Sequence, residues 1–385
     1  MIKVVLLTNS IPPYRVDFFR ELSELCDFTV VCDLLQSPLR EWKQDPENFG
    51  FDYIEIGNNA KEYTHKRPDA GFNEQRVRYK SKGVIKVLKE LKPEVVVTCE
   101  FGMRTIYTLF YSMRACVPYI IWSEGTRFTE KSVKRLKFTL RNVLARGAKG
   151  YWTNGVASRN YLEDLGATRS TITEGMTGIA TDTYRKASKE LEGQRDSLRV
   201  NYGIEGFCFL FIGAISERKG VMQLLEALEL SDAELRVKCT FIFAGSGPLQ
   251  EEAEARTKKF KNIKVFYPGF VDQEEVQQLF AVSDMFVMPT LDDNWPLVTI
   301  EAMVSGLPQI GSIFNGASED LAQKCELGTF IDPNDVTRLA SLITVAAIEK
   351  PDRLSESLID WATDFYSPQN QAQRAIKLIS SLHTL

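Results

Sequence analysis

Two cations and two carboxylates stand at spacings that could do chemistry. The turn GAISERKG (213–220) puts Arg218 and Lys219 between a buried β-rich run, FCFLFI, and a helical stretch. Cations at a strand's carboxyl end can neutralise a diphosphate, and a departing nucleotide needs its charge taken up. A solvated loop is the plain alternative. Further on, TLDDNWPLVTIEAMVSGLPQIG (290–311) sets Asp293 and Asn294 ahead of Pro296, with a lone acid, Glu301, inside an apolar stretch. Pro296 at the first position of a helix would leave the N–H groups of Leu297 and Val298 unpaired, and the helix dipole favours an anion there. Asp293 and Asn294 can accept hydroxyls, and Glu301, about a turn further on, can accept both hydroxyls of a ribose. The competing structural roles are an N-cap for Asp293 or Asn294 and a salt bridge for Glu301.

These loops need elements to hold them. In the first half, apolar β-rich runs occur at 2–7, 28–32, 51–56, 94–98, 118–122 and 150–154, with helical spacing over Tyr14–Leu25, Val84–Leu91 and Ile106–Arg114 between them. After a polar segment, Arg185–Arg199, the pattern restarts with runs at 207–213, 239–245, 263–269 and 285–289. Helices are expected from Gly220, from Pro248, around Asp272–Phe280 and from Pro296. Continuous apolar strands separated by helices predict parallel sheets covered on both faces. The fold expected is α/β, with two Rossmann-like, doubly wound domains at 1–185 and 186–365. The ligand cleft is expected at the strand carboxyl ends, where the domains face each other. A last amphipathic stretch, Gln369–Leu382, can pack on either.

Composition narrows the function classes. A chain of 385 residues suits two cores, and 44% hydrophobic with 25% charged residues is ordinary for a soluble protein. No apolar run approaches the ~18–20 residues that span a bilayer. The start, MIKVVLLTNS, is too short for a signal-peptide core, so a cytoplasmic protein is expected. The seven cysteines include no Cys-x-x-Cys pair and several fall in predicted strands, which favours reduced, buried thiols over disulfides or zinc. With only His65 and His383, a Ser-His-Asp triad or multi-histidine metal site is not expected. Residues 1–185 carry 28 Lys/Arg against 22 Asp/Glu, and the rest 19 against 29. That split argues against a nucleic-acid binder and leaves room for an anionic partner on the first half. A dinucleotide fingerprint is missing, since TNSIPPYR has no glycine and GSGPLQ lacks the third.

Taken together, the motifs become recognisable. Asp293-x7-Glu301 with PLVTIEAMVSGLP resembles the Glu-x7-Glu signature of the retaining GT-B glycosyltransferases of family 4. FLFIGAISERKG, FIFAGSGPLQEE, VFYPGFVDQEEVQQLFAVSDMFVMPT and NGASEDL extend the likeness over about 207–325. IPPYRVDFFREL and TGIATDTYR carry it more weakly into the first half. The resemblance implies a GT-B fold with the 366–385 helix joined to the first domain. It also implies a metal-free, cofactor-free transfer from a nucleotide sugar, UDP-sugar before GDP-sugar, to a glycan or lipid-linked glycan. Lys219, with Arg218 beside it and Gly213 at the strand end, would meet the diphosphate. Asp293 and the backbone of Asn294–Trp295 would hold the sugar, the amides of Leu297 and Val298 the phosphate, Glu301 the ribose, and Gly269–Val271, through Phe270 and Val271, the base.

The sequence also departs from that pattern. Asp293 replaces the usual first glutamate, and Ala214 stands where an arginine is usual. Tyr14 and Arg15 take the place of a glycine pair, and Ser123-Glu124 that of a histidine. Tyr14, Arg15 and Glu124 are the acceptor-side candidates; Glu124 either touches sugar or acceptor or caps its loop. The departures keep two other readings open, a non-catalytic nucleotide-sugar-binding subunit and a GT-B epimerase. Arg127–Lys149 holds eight Lys/Arg against Glu130, with Val133, Leu136, Leu140, Val143 and Leu144 at helical spacings. Either its apolar side is core and its charges solvated, or it docks peripherally on an anionic membrane at the inner face.

Overall fold

The computed structural model describes residues 1–39, 45–57, 60–67, 72–324 and 327–383. Cys325 and the last two residues of the expected 366–385 helix lie outside them. The chain divides into two compact units, one of 1–69, 73–180 and 365–385, the other of 70–72 and Thr181–Asp364. The breaks thus fall at 180/181 and 364/365, against the expected 185/186 and 365/366.

In the first unit seven parallel strands line up as β3-β2-β1-β6-β7-β8-β9. They are β1 (Lys3–Thr8), β2 (Asp27–Cys32), β3 (Asp52–Glu55), β6 (Val95–Cys99), β7 (Tyr119–Trp122), β8 (Gly150–Trp152) and β9 (Ile172–Thr173), while β4 (Lys61–Arg67) pairs only with β5 (Phe72–Arg78). The helices are α1 (Val16–Leu25), α2 (Val84–Leu91), α3 (Met103–Ala115), α4 (Arg135–Gly147) and α5 (Val156–Asp164). Alternation along β1 explains its unbroken apolar run, because successive side chains enter opposite faces. Val4 and Leu6 join Phe18 and Phe19 of α1, while Val5 and Leu7 join Val84 and Leu88 of α2.

The second unit holds six parallel strands in the order β12-β11-β10-β13-β14-β15. These are β10 (Phe207–Ile212), β11 (Cys239–Ala244), β12 (Ile263–Gly269), β13 (Met285–Met288), β14 (Gln309–Ser312) and β15 (Gly328–Ile331). Its helices are α6 (Thr181–Glu192), α7 (Arg195–Asn201), α8 (Val221–Glu234), α9 (Gln250–Thr257), α10 (Gln273–Val282), α11 (Leu297–Val304), α12 (Ser318–Leu321), α13 (Val336–Glu349) and α14 (Glu356–Phe365). The polar segment Arg185–Arg199 is therefore not a break but parts of two helices. Its charges have fixed work: Arg185 pairs with Glu356 and Asp360, and Arg195 and Arg199 pair with Asp284 and donate to the last carbonyls of α10. The last helix, α15 (Pro368–His383), returns to the first unit, where Ala372, Ala375 and Ile379 share a core with β1 and α1.

Of the two readings of the basic stretch, the one that puts its apolar side in the core holds only in part. Helix α4 buries Arg141, Leu144 and Ala145, whereas Leu136 is 84% exposed and Leu140 and Val143 are exposed as well. The charge sequence explains the turn of this face: Arg141 is drawn inward by Glu130 at 2.7 Å and by the Tyr161 hydroxyl at 2.6 Å. On α3, Phe110 and Met113 are also exposed. The six described cysteines are free, and all but Cys116 are buried.

In each sheet the strand order reverses once, between β1 and β6 and between β10 and β13, and a doubly wound sheet opens its ligand crevice at that point. The first reversal is held by a buried ion pair. Arg104 of α3 reaches Asp33 at 2.5 Å, Asn9 at 2.5 Å and the Cys99 carbonyl at 3.2 Å, joining the ends of β1, β2 and β6. Asp33 is fully buried, so Arg104→Met strands its charge and should cost about 3–5 kcal/mol in urea unfolding. Adding Asp33→Asn should restore most of that loss.

Candidate functional site

At the second reversal, the loop after β10 and the loop after β13 meet. Lys219 Nζ lies 2.5 Å from Asp293 Oδ2, and Arg218 reaches the same oxygen at 3.3 Å and the Asp292 carbonyl at 2.9 Å. Burial alone would raise the Asp293 carboxyl, but Lys219 and Arg218 outweigh it and hold the carboxyl below its usual range. Lys219 is 8% exposed. The loops are locked to each other by backbone: Leu291 N–H donates to the Arg218 carbonyl at 2.8 Å. Gly220 makes this approach possible, since at φ +72° a Cβ there would come within 1.8 Å of the Pro289 oxygen. Gly213 ends β10 beside the Lys219 stem.

Asp293 is fixed from its other side. Its N–H donates to the Phe314 carbonyl at 3.3 Å, and its carbonyl accepts from Gly316 N–H at 2.9 Å. Asn315, itself buried, ties that segment to α11 through Thr299 at 3.3 Å. Pro296 turns out to be the N-cap of α11 rather than its first residue, with extended backbone (ψ 110°) and no side-chain cap. Leu297 and Val298 now occupy the first two helical positions, so their N–H groups remain without intrahelical partners. Asp293 is thus a carboxylate for cations and not a helix cap. Asn294 Oδ1 is buried without a hydrogen-bond partner, and Trp295 is buried.

Glu301 lies on α11 against α6, where the Tyr184 hydroxyl hydrogen-bonds its carboxylate. Among the described residues no cation pairs with it, so the salt-bridge alternative is not met, and burial pushes its carboxyl up to about 7. Phe270 is exposed just beyond β12, with Val271 partly buried beside it. Two strand spacings, about 10 Å, separate β12 from β10.

The first unit places the three acceptor-side candidates together. Arg15 pairs with Glu124, and its guanidinium stacks over Trp122 at 4.1 Å and near Tyr14 at 5.7 Å. Glu124 therefore does not cap its loop through its carboxylate. These residues, with Thr8, Ser10 and Glu100, line a pocket of about 170 Å³ at the β1/β6 reversal.

Comparison with known proteins bears on the site at this point. Residues 195–380 match the family described as Glycosyl transferases group 1. That match covers just under half of the chain. Sulfoquinovosyl transferase SQD2 of Arabidopsis thaliana is 25% identical over 297 residues, 72% of this chain but 56% of that protein, so the chain spans little more than half of that relative's length. The Anabaena protein HepE, solved with UDP and glucose, gives a TM-score of 0.70 at 16% identity over 98% of this chain and 100% of that one. A glycosyltransferase from Rickettsia africae ESF-5 gives 0.73 at 14% identity, over 99% and 98%. The fold is of the GT-B type, with two Rossmann-like units.

Within the matched segment lie Gly213, Arg218, Lys219, Phe270, Val271 and 293–301, and the structure gathers Arg218, Lys219 and Asp293 at one point. Sequence reasoning missed Tyr184, Asn315 and Gly316. NGASEDL carried a signal for the last two, whereas Tyr184 lies more than a hundred residues before Glu301 with no motif to join them.

The raised Glu301 carboxyl makes a stability prediction with a definite sign. A folded pKa of about 7 against 4.5 unfolded means the native state binds the extra proton, so its contribution is complete below about pH 4.5 and is lost as pH rises through about 7. Glu301→Gln should remove that loss. Relative to the parent, the variant should gain about 1–3 kcal/mol between pH 5 and pH 8 in paired urea titrations; an unchanged difference would contradict the raised carboxyl.

Proposed function

We propose that the protein is a retaining, metal-independent glycosyltransferase that uses a nucleoside-diphosphate sugar, with UDP-sugar the first expectation. The observation that carries this reading is the meeting of Lys219 and Arg218 with Asp293 beside the open N-terminus of α11. Two fixed cations can take up diphosphate charge without a divalent ion. The UDP bound to the similarly folded HepE supports the choice of nucleotide.

On this reading the ion pair is exchanged when the donor binds. The diphosphate draws Lys219 and Arg218 from Asp293, and the released carboxylate accepts hydroxyls of the sugar. Glu301 takes the ribose, exchanging the Tyr184 hydroxyl for sugar hydroxyls, and the exposed Phe270 ring offers a face to the base. As the bond from the anomeric carbon to the phosphate oxygen breaks, negative charge grows on the phosphate. Lys219, Arg218 and the N–H groups of Leu297 and Val298 stabilise it. The acceptor hydroxyl bonds to the anomeric carbon on the face the nucleotide leaves, and its proton passes to the departing phosphate.

A melting screen against UDP-, GDP-, ADP- and dTDP-sugars identifies the donor, since a ligand at ~100 times its dissociation constant adds ~2.7 kcal/mol. With that donor, Lys219→Ala should lower turnover by roughly 10²–10³-fold; parent-like turnover at saturation would remove Lys219 from the chemistry. Asp293→Asn separates the two halves of the exchange. It should tighten binding of free nucleoside diphosphate, because Lys219 no longer has a competing carboxylate, while kcat/KM with the nucleotide sugar falls by about 1–3 kcal/mol. Nucleotide binding with no transfer or hydrolysis in any condition would favour a non-catalytic binding subunit.

The acceptor on this reading is a glycan or lipid-linked glycan, approached from an anionic membrane surface. The exposed apolar residues of α4 are interleaved along the chain with the exposed Lys134, Arg135, Lys137 and Arg146, a pairing suited to acidic lipid headgroups. The α4 stripe Leu136–Leu140–Val143 runs on to Gly147, which abuts Leu109 of α3. Among the described residues no helix is long and apolar enough to cross a membrane. Flotation with phosphatidylglycerol vesicles should show binding that weakens with salt and falls at least fivefold in Leu136→Ser/Val143→Ser. Binding absent at low salt would leave these helices as plain surface.

A further inference from the structure

The pocket at the β1/β6 reversal contains one carboxylate with no role assigned so far. Glu100 closes β6 in a left-handed conformation, φ +62°, which non-glycine residues adopt rarely and which clusters at functional sites. Its main chain is pinned there: its N–H donates to the Trp122 carbonyl at 2.8 Å, and its carbonyl accepts from the Thr105 hydroxyl. The side chain is aimed as firmly. Oε1 accepts from Glu124 N–H at 3.0 Å, and Oε2 accepts from the Ser123 hydroxyl at 3.2 Å.

Its neighbour is already neutralised. Glu124 pairs with Arg15, and Glu130 pairs with Arg141. No cation is within ion-pair distance of Glu100 among the described residues, so its remaining lone pairs have no charge partner. Arg15 is nine-tenths buried, stacked on Trp122, and its Nε has no hydrogen-bond partner. Gly178, at φ +80°, presses on the Arg15 stem, where a Cβ would come within 2.7 Å of Cγ. A carboxylate with lone pairs to spare thus lines one small pocket with Ser10, Tyr14 and the Arg15 side chain.

Hydroxyls answer the spare lone pairs of Glu100. A second carboxylate would be repelled by Glu100, a phosphate would meet the Arg15 charge only by parting it from Glu124, and an apolar group would take the carboxylate's remaining hydration and give nothing back. We infer that Glu100 anchors a subsite for one neutral sugar unit of the acceptor, its carboxylate accepting adjacent hydroxyls against the wall that Arg15, Trp122 and Tyr14 form. The inference rests on the transferase reading above and adds a specificity-determining residue to it.

The subsite has a pH signature. Glu100 is faced by Glu124 and Glu130, Arg15 and Arg141, Cys99 and Tyr161. Burial, with Glu124 next in weight, sets its carboxyl at about 7. The ionised form accepts hydroxyls better, so sugar binding should strengthen from pH 6 to pH 8.

Saturation-transfer NMR with methyl α-glucoside, α-galactoside and α-mannoside tests this on the whole chain, with UDP affinity measured in parallel. The parent should bind at least one glycoside, at least threefold tighter at pH 8 than at pH 6. Glu100→Gln should weaken that glycoside at least fivefold and flatten the pH profile, whereas Arg15→Lys should weaken it and keep the profile. Glu100→Asp, which draws the carboxylate back by one methylene, should weaken it with the profile retained and serves if the glutamine variant does not fold. A parent that binds none of the three, or a folded Glu100→Gln with parent affinity and profile, overturns the subsite. Failure of UDP to bind the parent strikes the transferase reading itself, while normal UDP binding beside an unaffected Glu100→Gln strikes only the subsite.

Discussion

Desolvation pulls the Asp293 carboxyl toward its protonated form, and Lys219 with Arg218 pulls harder the other way. The surroundings of the second unit's strand ends are arranged to keep that contest local. Gly220 lets the cation loop touch the end of β13, and Phe314–Gly316 fixes the backbone of Asp293, so neither partner can swing off to solvent without a cost in hydrogen bonds. A charge pair held this closely is poor evidence of stability by itself, because much of its Coulomb energy offsets lost hydration. Its value lies in being exchangeable: an incoming anion replaces one charged partner by another without leaving either cation bare.

The first unit solves the same problem differently. Arg104 and Asp33 form a closed, structural pair at one side of the reversal point, with Ser81 and Asn9 completing the hydrogen bonds. Arg15 and Glu124 form a second pair on the pocket wall. Glu100 is left over, and it is also the residue with the unusual backbone. Strain and uncompensated charge coincide there, on a strand whose other residues are all buried.

Much of this was legible beforehand. The central strands of both sheets announce themselves as apolar runs because both faces are covered, and Asp272 three residues before Glu275 forms the capping box that begins α10. The fifth and sixth strands of the second sheet were not legible, since QIGS and GTFI are four residues each and carry glycine and polar groups. Strands β4 and β5 left no apolar run to find, because they pair only with each other and need no apolar face. In the candidate site, cation and carboxylate types were visible, but their pairing was not: Lys219 and Asp293 are brought together by the adjacency of β10 and β13, which only topology supplies. Charges also concealed burial. Arg104 and Arg141 look like surface residues in sequence and are interior in the fold, while Leu136 and Val143 look interior and are not.

Helix α15 belongs to the first unit although the whole second unit is made before it. Gln371 accepts from the N–H groups of Thr177 and Gly178 at 2.7 Å each, and Ile379 fills the layer under β1 and α1. During synthesis, at roughly 5–20 residues per second, the early strands must therefore wait with α1 alone over part of one face until the ribosome has finished the intervening domain. The nascent chain passes through a period in which its second half can be native while its first cannot. Chaperone demand should fall on that interval, and a ribosome stalled within α13 or α14 would release a chain whose later-made domain is the better folded of the two.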